Sequence, residues 1–153
     1  MSVHDRLKQL GMELPTVTPP VGSYVPAIQI GNLIHTSGQL PMIKGELTGK
    51  GKVPTDTPLP NAQQAARVAV LNALAAAAQS AGGLDRIERV VRVGVFVNSA
   101  LGFTDQAKVA NGASDFLVEL FGEKGKHVRA AVGVCELPLN AAVELELTIQ
   151  VRS

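Results

Sequence analysis

The chain of 153 residues is short enough to fold as one domain around one core, and no Pro- or Ser-rich linker divides it. Its 14 basic and 13 acidic residues give a formal net charge of +1, and aromatic residues make up only 3% of the sequence. Nucleic-acid binding is therefore not expected, because it relies on concentrated positive charge and on rings that stack on bases.

The sequence also argues against metals, disulfides and export. Cys135 is the only cysteine, so the chain cannot form an internal disulfide, and the histidines are too scattered to suggest a metal site. The most apolar stretch, Leu71 to Ala78, is shorter than the ~20 residues of a membrane span. The polar N-terminal residues do not resemble the apolar core of a secretory signal. We therefore expect a cytoplasmic protein that binds neither a metal nor a membrane.

Residues 1–20 predict a helix followed by an arm. Apolar side chains recur at helical spacing between Ser2 and Leu10, and Gly11 follows as a stop signal, which is typical of a short amphipathic helix. Three prolines then favour an extended, irregular chain. We expect this segment to precede a main domain formed by residues 21–153.

A hairpin and a long loop are predicted next. Residues 27–30 and 33–36 are apolar enough for strands, and they flank Gly31 and Asn32, which suit the positive φ values of a tight turn. Residues 42–60 contain several glycines and prolines and show little periodicity. This segment therefore predicts a long surface loop.

A long helix is predicted after this loop. Asn61 followed by Gln64 resembles a capping box, and the sequence up to Ala81 is dominated by the strong helix formers Ala, Leu, Gln and Arg. The small side chains on its apolar face would let the helix lie close against a sheet. Gly82 is suited to the left-handed conformation that ends many helices.

A strand and a second helix are predicted in the middle of the chain. The β-branched stretch from Val90 to Val97 is long enough for a strand that crosses the centre of a sheet. A helix is predicted from the capping pair Thr104-Asp105 toward Phe121. Gly112 weakens the middle of this helix, because glycine is a poor helix former.

The clearest strand signal comes later in the chain. Apolar and polar residues alternate without a break from Val143 to Val151, so the strand has one apolar and one polar face. Val132 and Val134 suggest another strand before a turn at residues 137–140. The order β-β-α-β-α-β-β places two helices on one face of a mixed sheet. The polar face of the last strand would meet either solvent or another subunit.

Several short motifs occur in the order found in one known family. In the first half they are Gly22-Ser23-Tyr24-Val25, Ile30-Gly31-Asn32-Leu33-Ile34 and Thr36-Ser37-Gly38-Gln39-Leu40-Pro41. In the second half they are the strand 91–97, Val128-Arg129-Ala130-Ala131-Val132, Leu137-Pro138 and Val143-Glu144-Leu145-Glu146. Together these motifs resemble the RidA/YjgF family, once called L-PSP. The resemblance begins near Val21, and the preceding residues resemble an extension found in a divergent branch of that family.

The resemblance implies a fold and an activity. The implied fold is α+β and chorismate-mutase-like, assembled as a homotrimer with ligand clefts between subunits. Active members of the family hydrolyse 2-imino or enamine acids to 2-keto acids and ammonia without metal or cofactor. An imino acid carries a planar carboxylate beside an electrophilic C=N bond, and a guanidinium group matches that carboxylate with two parallel hydrogen bonds.

The resemblance also implies roles for individual residues. Arg129 matches the arginine that binds the substrate carboxylate, and Glu144 matches the glutamate that positions the attacking water. Tyr24 matches a pocket tyrosine, and Ser37 and Gly38 match the pocket wall. The alternatives are a surface arginine, a solvated carboxylate and a tyrosine packed in the core.

The chain departs from the family pattern after the arginine. Active members usually carry Arg-Ser-Cys, whereas this chain carries Arg129-Ala130-Ala131, so Ala131 would contact a substrate without a thiol. Asn111 and Ser114 compete for the position of the family's pocket asparagine. Two hypotheses follow: hydrolysis of a 2-imino acid, or binding of a small carboxylate metabolite in the same cleft without turnover.

Overall fold

The computed structural model describes residues 1–153 and contains a five-stranded sheet packed against two long helices. In chain order the elements are α1 (Val3–Gln9), β1 (Ala27–Ile30), β2 (Leu33–Thr36), β3 (Met42–Ile43), β4 (Glu46–Leu47), α2 (Leu59–Ala81), β5 (Ile87–Asn98), α3 (Gln106–Phe121), β6 (Val128–Val134) and β7 (Val143–Val151). The sheet order is β1-β2-β7-β5-β6, and only the β5–β6 pair is parallel. The predicted α+β class is confirmed, although β7 rather than β5 occupies the sheet centre.

The core lies between one face of this sheet and helices α2 and α3. Along β7 every second residue from Val143 to Val151 is buried, which confirms the strand predicted from alternation. Helix α2 contributes mainly alanines to the core, including Ala62, Ala69 and Ala77. Such small side chains allow the helix to lie close to the sheet, as predicted.

Helix α1 packs against the far end of α3. Leu7 is buried in the common core, and the Arg6 guanidinium donates a hydrogen bond to the carbonyl oxygen of Glu119. Gly11 adopts a positive φ of 71° directly after this helix. The predicted N-terminal helix and its stop are therefore confirmed.

The β1–β2 hairpin is confirmed, but its turn differs from the prediction. Gly31 adopts a positive φ of 63°, whereas Asn32 does not. A two-residue loop with a positive φ at its first position only is a type II′ turn, which needs glycine there and not at the second position. The predicted loop of residues 42–60 contains a further short hairpin, β3–β4, whose turn residues Lys44 and Gly45 both have positive φ.

The predicted capping box of α2 is wrong. The helix begins at Leu59, two residues before Asn61, with Pro58 as its N-cap and no side chain bonded to the first turn. Pro60 is tolerated at the second position because backbone N–H groups of the first turn have no partner inside a helix. The predicted stop is confirmed, since Gly82 is left-handed with a φ of 89°.

Helix α3 follows Asp105 as predicted, but the Asp105 carboxylate lies 3.7 Å from Lys108 Nζ and does not cap the helix. Gly112 lies where α3 meets α2, since a Cβ added there would come within 2.1 Å of the carbonyl oxygen of Gln63. Glycine thus lets the two helix backbones touch. None of the helices combines the length and the apolar character of a transmembrane span.

Candidate functional site

Arg129 lies on the edge strand β6 and faces the side of the sheet that carries the helices. In the parallel β5–β6 pair it is opposite Val93, a core residue. Because β6 is outermost, the long side chain reaches α3 instead of entering the core. Its Nη1 atom donates hydrogen bonds to Asn111 Oδ1 at 2.8 Å and to Ser114 Oγ at 3.1 Å. Both candidates for the pocket asparagine position therefore contact the same guanidinium.

These two contacts determine which edge of the guanidinium is free. Both N–H bonds of Nη1 are directed at uncharged acceptors, and no carboxylate lies within 4.0 Å of Arg129. The edge formed by Nε and Nη2 stays open, and this edge can bind a carboxylate through two parallel hydrogen bonds. The positive charge of Arg129 is thus available to an anionic ligand.

Helix α3 holds Asn111 and Ser114 side by side, because residues three positions apart lie on the same helix face. The residues that flank them on the inner side are tightly packed. Gly112 contacts the α2 backbone, and Ala110 and Ala113 are fully buried. Packing of the helix pair therefore fixes the position of both hydrogen-bond acceptors.

His127 extends this network behind Ser114 and was not predicted as a functional residue. Its Nε2 lies 2.9 Å from Ser114 Oγ, and its Nδ1 lies 2.6 Å from the carbonyl oxygen of Gly125. Burial and the charge of Arg129 lower the pKa of His127. His127 precedes Arg129 by two residues, and side chains two residues apart in an extended chain point to the same side. This spacing was the sequence signal that could have identified it. We refer to Arg129, Asn111, Ser114 and His127 as the Arg129 cluster.

Glu144 lies on β7 and faces the other, open side of the sheet. It is opposite Phe96 in the β5–β7 pair, and its carboxyl group packs on Gly38, where an added Cβ would lie 3.0 Å from Glu144 Cδ. Half-burial raises the pKa of Glu144, and the nearby Glu146 raises it further. Glu146 itself pairs with Arg92 at 3.3 Å. A carboxyl group with a raised pKa is suited to accepting and returning a proton.

Ser37 and Gly38 follow β2, and Ser37 is hydrogen-bonded to the segment before β1 that carries Tyr24. Ser37 Oγ donates to the carbonyl oxygen of Val25 at 2.6 Å. Tyr24 is 53% exposed, so it is not packed in the core. We refer to Glu144, Gly38 and Ser37 as the Glu144 cluster, with Tyr24 on the adjoining arm.

One chain does not bring Arg129 and Glu144 together. Arg129 and Ala131 share the helix side of the sheet, as their pairing with core residues of β5 requires, whereas Glu144 lies on the open side. Ala131 is half-buried against the core and presents only a methyl group. Hollows of about 190 and 350 Å³ lie elsewhere, beside α1 and between the N-terminal arm and α2. A site that uses both clusters would need two copies of the chain.

A family model described as "YjgF/chorismate_mutase-like, putative endoribonuclease" matches residues 4–150. The chain belongs to the YjgF/RidA family. This YjgF/RidA protein is 41% identical to Protein TCP17 of Trypanosoma cruzi over 150 residues, which cover 96% of the chain and 92% of the relative. It is 30% identical over 132 residues to the 2-iminobutanoate/2-iminopropanoate deaminase of Dermatophagoides farinae, and the match covers 86% of this chain and 88% of the relative.

Solved structures give the same result for the fold. The YjgF/RidA chain is 40% identical to the protein Atu1372 from Agrobacterium tumefaciens, with a TM-score of 0.91 and coverage of 98% and 92% of the two chains. The match leaves out only about 2% of this chain, so it extends over most of the N-terminal helix and arm. The family and the chorismate-mutase-like fold predicted from the motifs are confirmed.

Proposed function

We propose that this protein hydrolyses small 2-imino acids to 2-keto acids and ammonia in clefts between the subunits of a homotrimer. The observation that carries the proposal is the open Nε–Nη2 edge of Arg129, which suits a planar carboxylate. A relative that is 30% identical is named for deamination of 2-iminobutanoate and 2-iminopropanoate, which are substrates of this class.

Arg129 binds the substrate carboxylate through two hydrogen bonds. Because the guanidinium fork is rigid, these bonds fix the plane and the direction of the ligand. The C=N group of a 2-imino acid is conjugated with its carboxylate, so the same contact orients the reacting carbon. An already reactive imine then needs little beyond a well-placed water molecule.

Glu144 of the neighbouring subunit supplies the proton transfers. Its carboxylate accepts a proton from water as the water oxygen forms a bond to the imine carbon. Glu144 returns this proton to the imine nitrogen, which gives a neutral tetrahedral amino alcohol. The carboxylate then takes the hydroxyl proton and delivers it to the amine nitrogen, the C–N bond breaks as the C=O bond forms, and ammonia and the 2-keto acid are released. The raised pKa of Glu144 suits this role, because the carboxyl group must gain and lose a proton in each turnover.

The open face of the sheet supports the assembly. Its margins carry exposed apolar residues, Ile28 and Ile30 on β1 and Val128 and Val132 on β6, which are between 46% and 66% exposed. Apolar side chains gathered on one face favour burial against another molecule. An interface that covered the β6 margin would bring Arg129 to the border of the next subunit. In a cyclic trimer the same contact repeats three times, so each Arg129 cluster meets a neighbouring Glu144 cluster.

Ala131 favours a second candidate function, which is binding of a small carboxylate without turnover. It stands where active members of the family carry cysteine, and its side chain has no polar group. In that case Arg129 still binds the ligand, but the imine is hydrolysed no faster with the protein than spontaneously in water. Freshly generated 2-iminobutanoate separates the two functions, because semicarbazide traps the imine that the protein has not hydrolysed.

Substitution of Arg129 tests the carboxylate site. Arg129→Ala removes a charge-assisted contact of roughly 1.5–3 kcal/mol, which predicts a kcat/KM about 10- to 150-fold lower. Arg129→Lys should recover part of this loss, because it keeps the charge but not the fork. Ammonia release from 2-iminobutanoate measures the effect. Unchanged kinetics in Arg129→Ala would refute the proposal.

Mixed trimers test the division of the cleft between subunits. Arg129→Ala and Glu144→Gln subunits should each have about a tenth of wild-type activity or less when they are alone. When they are mixed in equal amounts and refolded together, one in four interfaces pairs an intact Arg129 with an intact Glu144, so about a quarter of wild-type activity should return. Absence of any recovery in verified mixed trimers would show that the two residues do not share an intersubunit site.

A further inference from the structure

The hydrogen-bond network behind Arg129 has a defined proton arrangement. His127 Nδ1 lies 2.6 Å from the carbonyl oxygen of Gly125, which can only accept, so Nδ1 carries a proton. In the neutral ring Nε2 is then an acceptor, and the Ser114 hydroxyl donates to it across 2.9 Å. The hydroxyl proton is thus directed away from Arg129. The Ser114 oxygen presents a lone pair to the Nη1 hydrogen, 3.1 Å from that nitrogen.

We infer that Ser114 and His127 are positioning residues that hold the open edge of Arg129 toward a carboxylate ligand and link its binding to proton uptake by His127. This inference rests on the proposed role of Arg129. Without the Ser114 oxygen, one N–H of Nη1 would lack a partner and the guanidinium could turn about its long side chain. The edge with two parallel donors would then face the ligand for only part of the time.

Proton uptake follows from the charge on both sides of Ser114. The Arg129 guanidinium lowers the pKa of His127, in addition to the effect of burial. A carboxylate bound to Arg129 offsets that charge, so the pKa of His127 rises when the ligand binds. Binding should therefore take up a fraction of a proton and strengthen as the pH falls through the range in which His127 titrates.

Other charged groups do not provide this link. Charged side chains on the elements packed around His127 are Glu88, Arg89, Arg92, Lys108, Asp115, Glu119, Glu123, Lys124, Lys126 and Arg129. Of these, only Arg129 acts on the pKa of His127. Lys124 is paired with Glu88, and Lys126 with Glu123. The ring therefore responds to the charge state of the Arg129 site.

Calorimetric titration with 2-oxobutanoate tests the inference without turnover. Ser114→Ala should raise the Kd about 3- to 10-fold, the effect of one lost hydrogen bond, whereas Ser114→Thr, which keeps the hydroxyl, should bind nearly as wild type does. Asp115→Ala is the matched control, because it changes the next, exposed residue of α3. It should leave the Kd unchanged.

Proton uptake is measured by repeating the titration of wild-type protein in two buffers with different ionisation enthalpies. Uptake should be detectable below about pH 6.5, the ordinary pKa of a histidine, and vanish at alkaline pH, because burial and the charge of Arg129 lower the pKa of His127. His127→Gln should abolish this component. Glu144 also titrates, so the difference between wild type and His127→Gln is the quantity that decides.

Two outcomes separate this inference from the proposed function. If Ser114→Ala binds like wild type and His127→Gln shows unchanged proton uptake, the positioning role is refuted, while a loss of binding in Arg129→Ala would leave the proposed function standing. If Arg129→Ala binds 2-oxobutanoate normally, both fall together. A wild-type protein that takes up no proton on binding 2-oxobutanoate would refute the link to His127 without the use of any variant.

Discussion

Replacement of Gly112 by alanine is expected to destabilise this protein, although alanine is the better helix former. An added Cβ would lie 2.1 Å from the carbonyl oxygen of Gln63 and 2.8 Å from its Cα. Carbon atoms pack comfortably at about 3.5 Å or more, so α2 and α3 would have to separate by about 1 Å. The obstacle is the backbone of a 23-residue helix and not a flexible side chain.

The expected magnitude combines two opposing effects. Intrinsic helix propensity favours alanine over glycine by about 1 kcal/mol in a helix interior. Overpacking of a close-packed core costs about 1–3 kcal/mol, and the upper end applies here because two helices have to move apart. The free energy of unfolding should therefore fall by about 2 kcal/mol.

Urea unfolding at a fixed protein concentration measures this change, since assembly into the proposed trimer would make stability depend on concentration. Asp115→Ala is a suitable control, because this exposed site lies on the same helix and should gain about 0.5 kcal/mol from propensity alone. Displacement of Asn111 should also weaken carboxylate binding in Gly112→Ala. A Gly112→Ala protein as stable as wild type, or more stable, would refute the close approach of the helices.

Two further predictions concern the Glu144 cluster. The pKa of Glu144 is raised in the folded protein. As the pH rises above about 4.5, the unfolded chain therefore releases this proton while the folded protein still holds it, and the free energy of unfolding falls. Glu144→Gln should therefore gain stability relative to wild type between about pH 4 and 7, and a constant difference in urea midpoints would contradict this. Gly38→Ala should displace the Glu144 carboxyl group and lower kcat/KM, but it should hardly change the unfolding midpoint, because the φ of Gly38 is not positive. A large loss of stability would show that the contact is mainly structural.

Local patterns predicted most of the strands and helices because each carries its own signal. The alternation along β7 is uninterrupted, and a glycine in the turn marks the β1–β2 hairpin. The start of α2 was misplaced because a favourable capping pair, Asn61 and Gln64, lies inside the helix. Proline is compatible with the first turn, so the sequence contains no signal that excludes the earlier start at Leu59.

The arrangement of the candidate site could be predicted only in part. The motifs identified Arg129 and Glu144, and the structure shows that both Asn111 and Ser114 contact the arginine. That Arg129 and Glu144 occupy opposite faces depends on the parallel register of β6 against β5, which is a tertiary property. His127 was overlooked because its contact with Ser114 forms only in the folded chain, and its spacing from Arg129 was the one signal of it in the sequence.

The central position of β7 affects how the chain can fold. All other strands precede β7 in the chain, yet β7 lies between β2 and β5 and pairs with both. As the polypeptide leaves the ribosome, the β1–β2 hairpin and the β5–β6 pair are synthesised before β7. Until β7 is present, these two parts of the sheet have no strand between them to which both can hydrogen-bond. Their apolar surfaces stay exposed until β7 emerges and bridges them. The sheet should thus be completed only after all its other strands have been synthesised, and until then the nascent chain exposes apolar surface that favours aggregation.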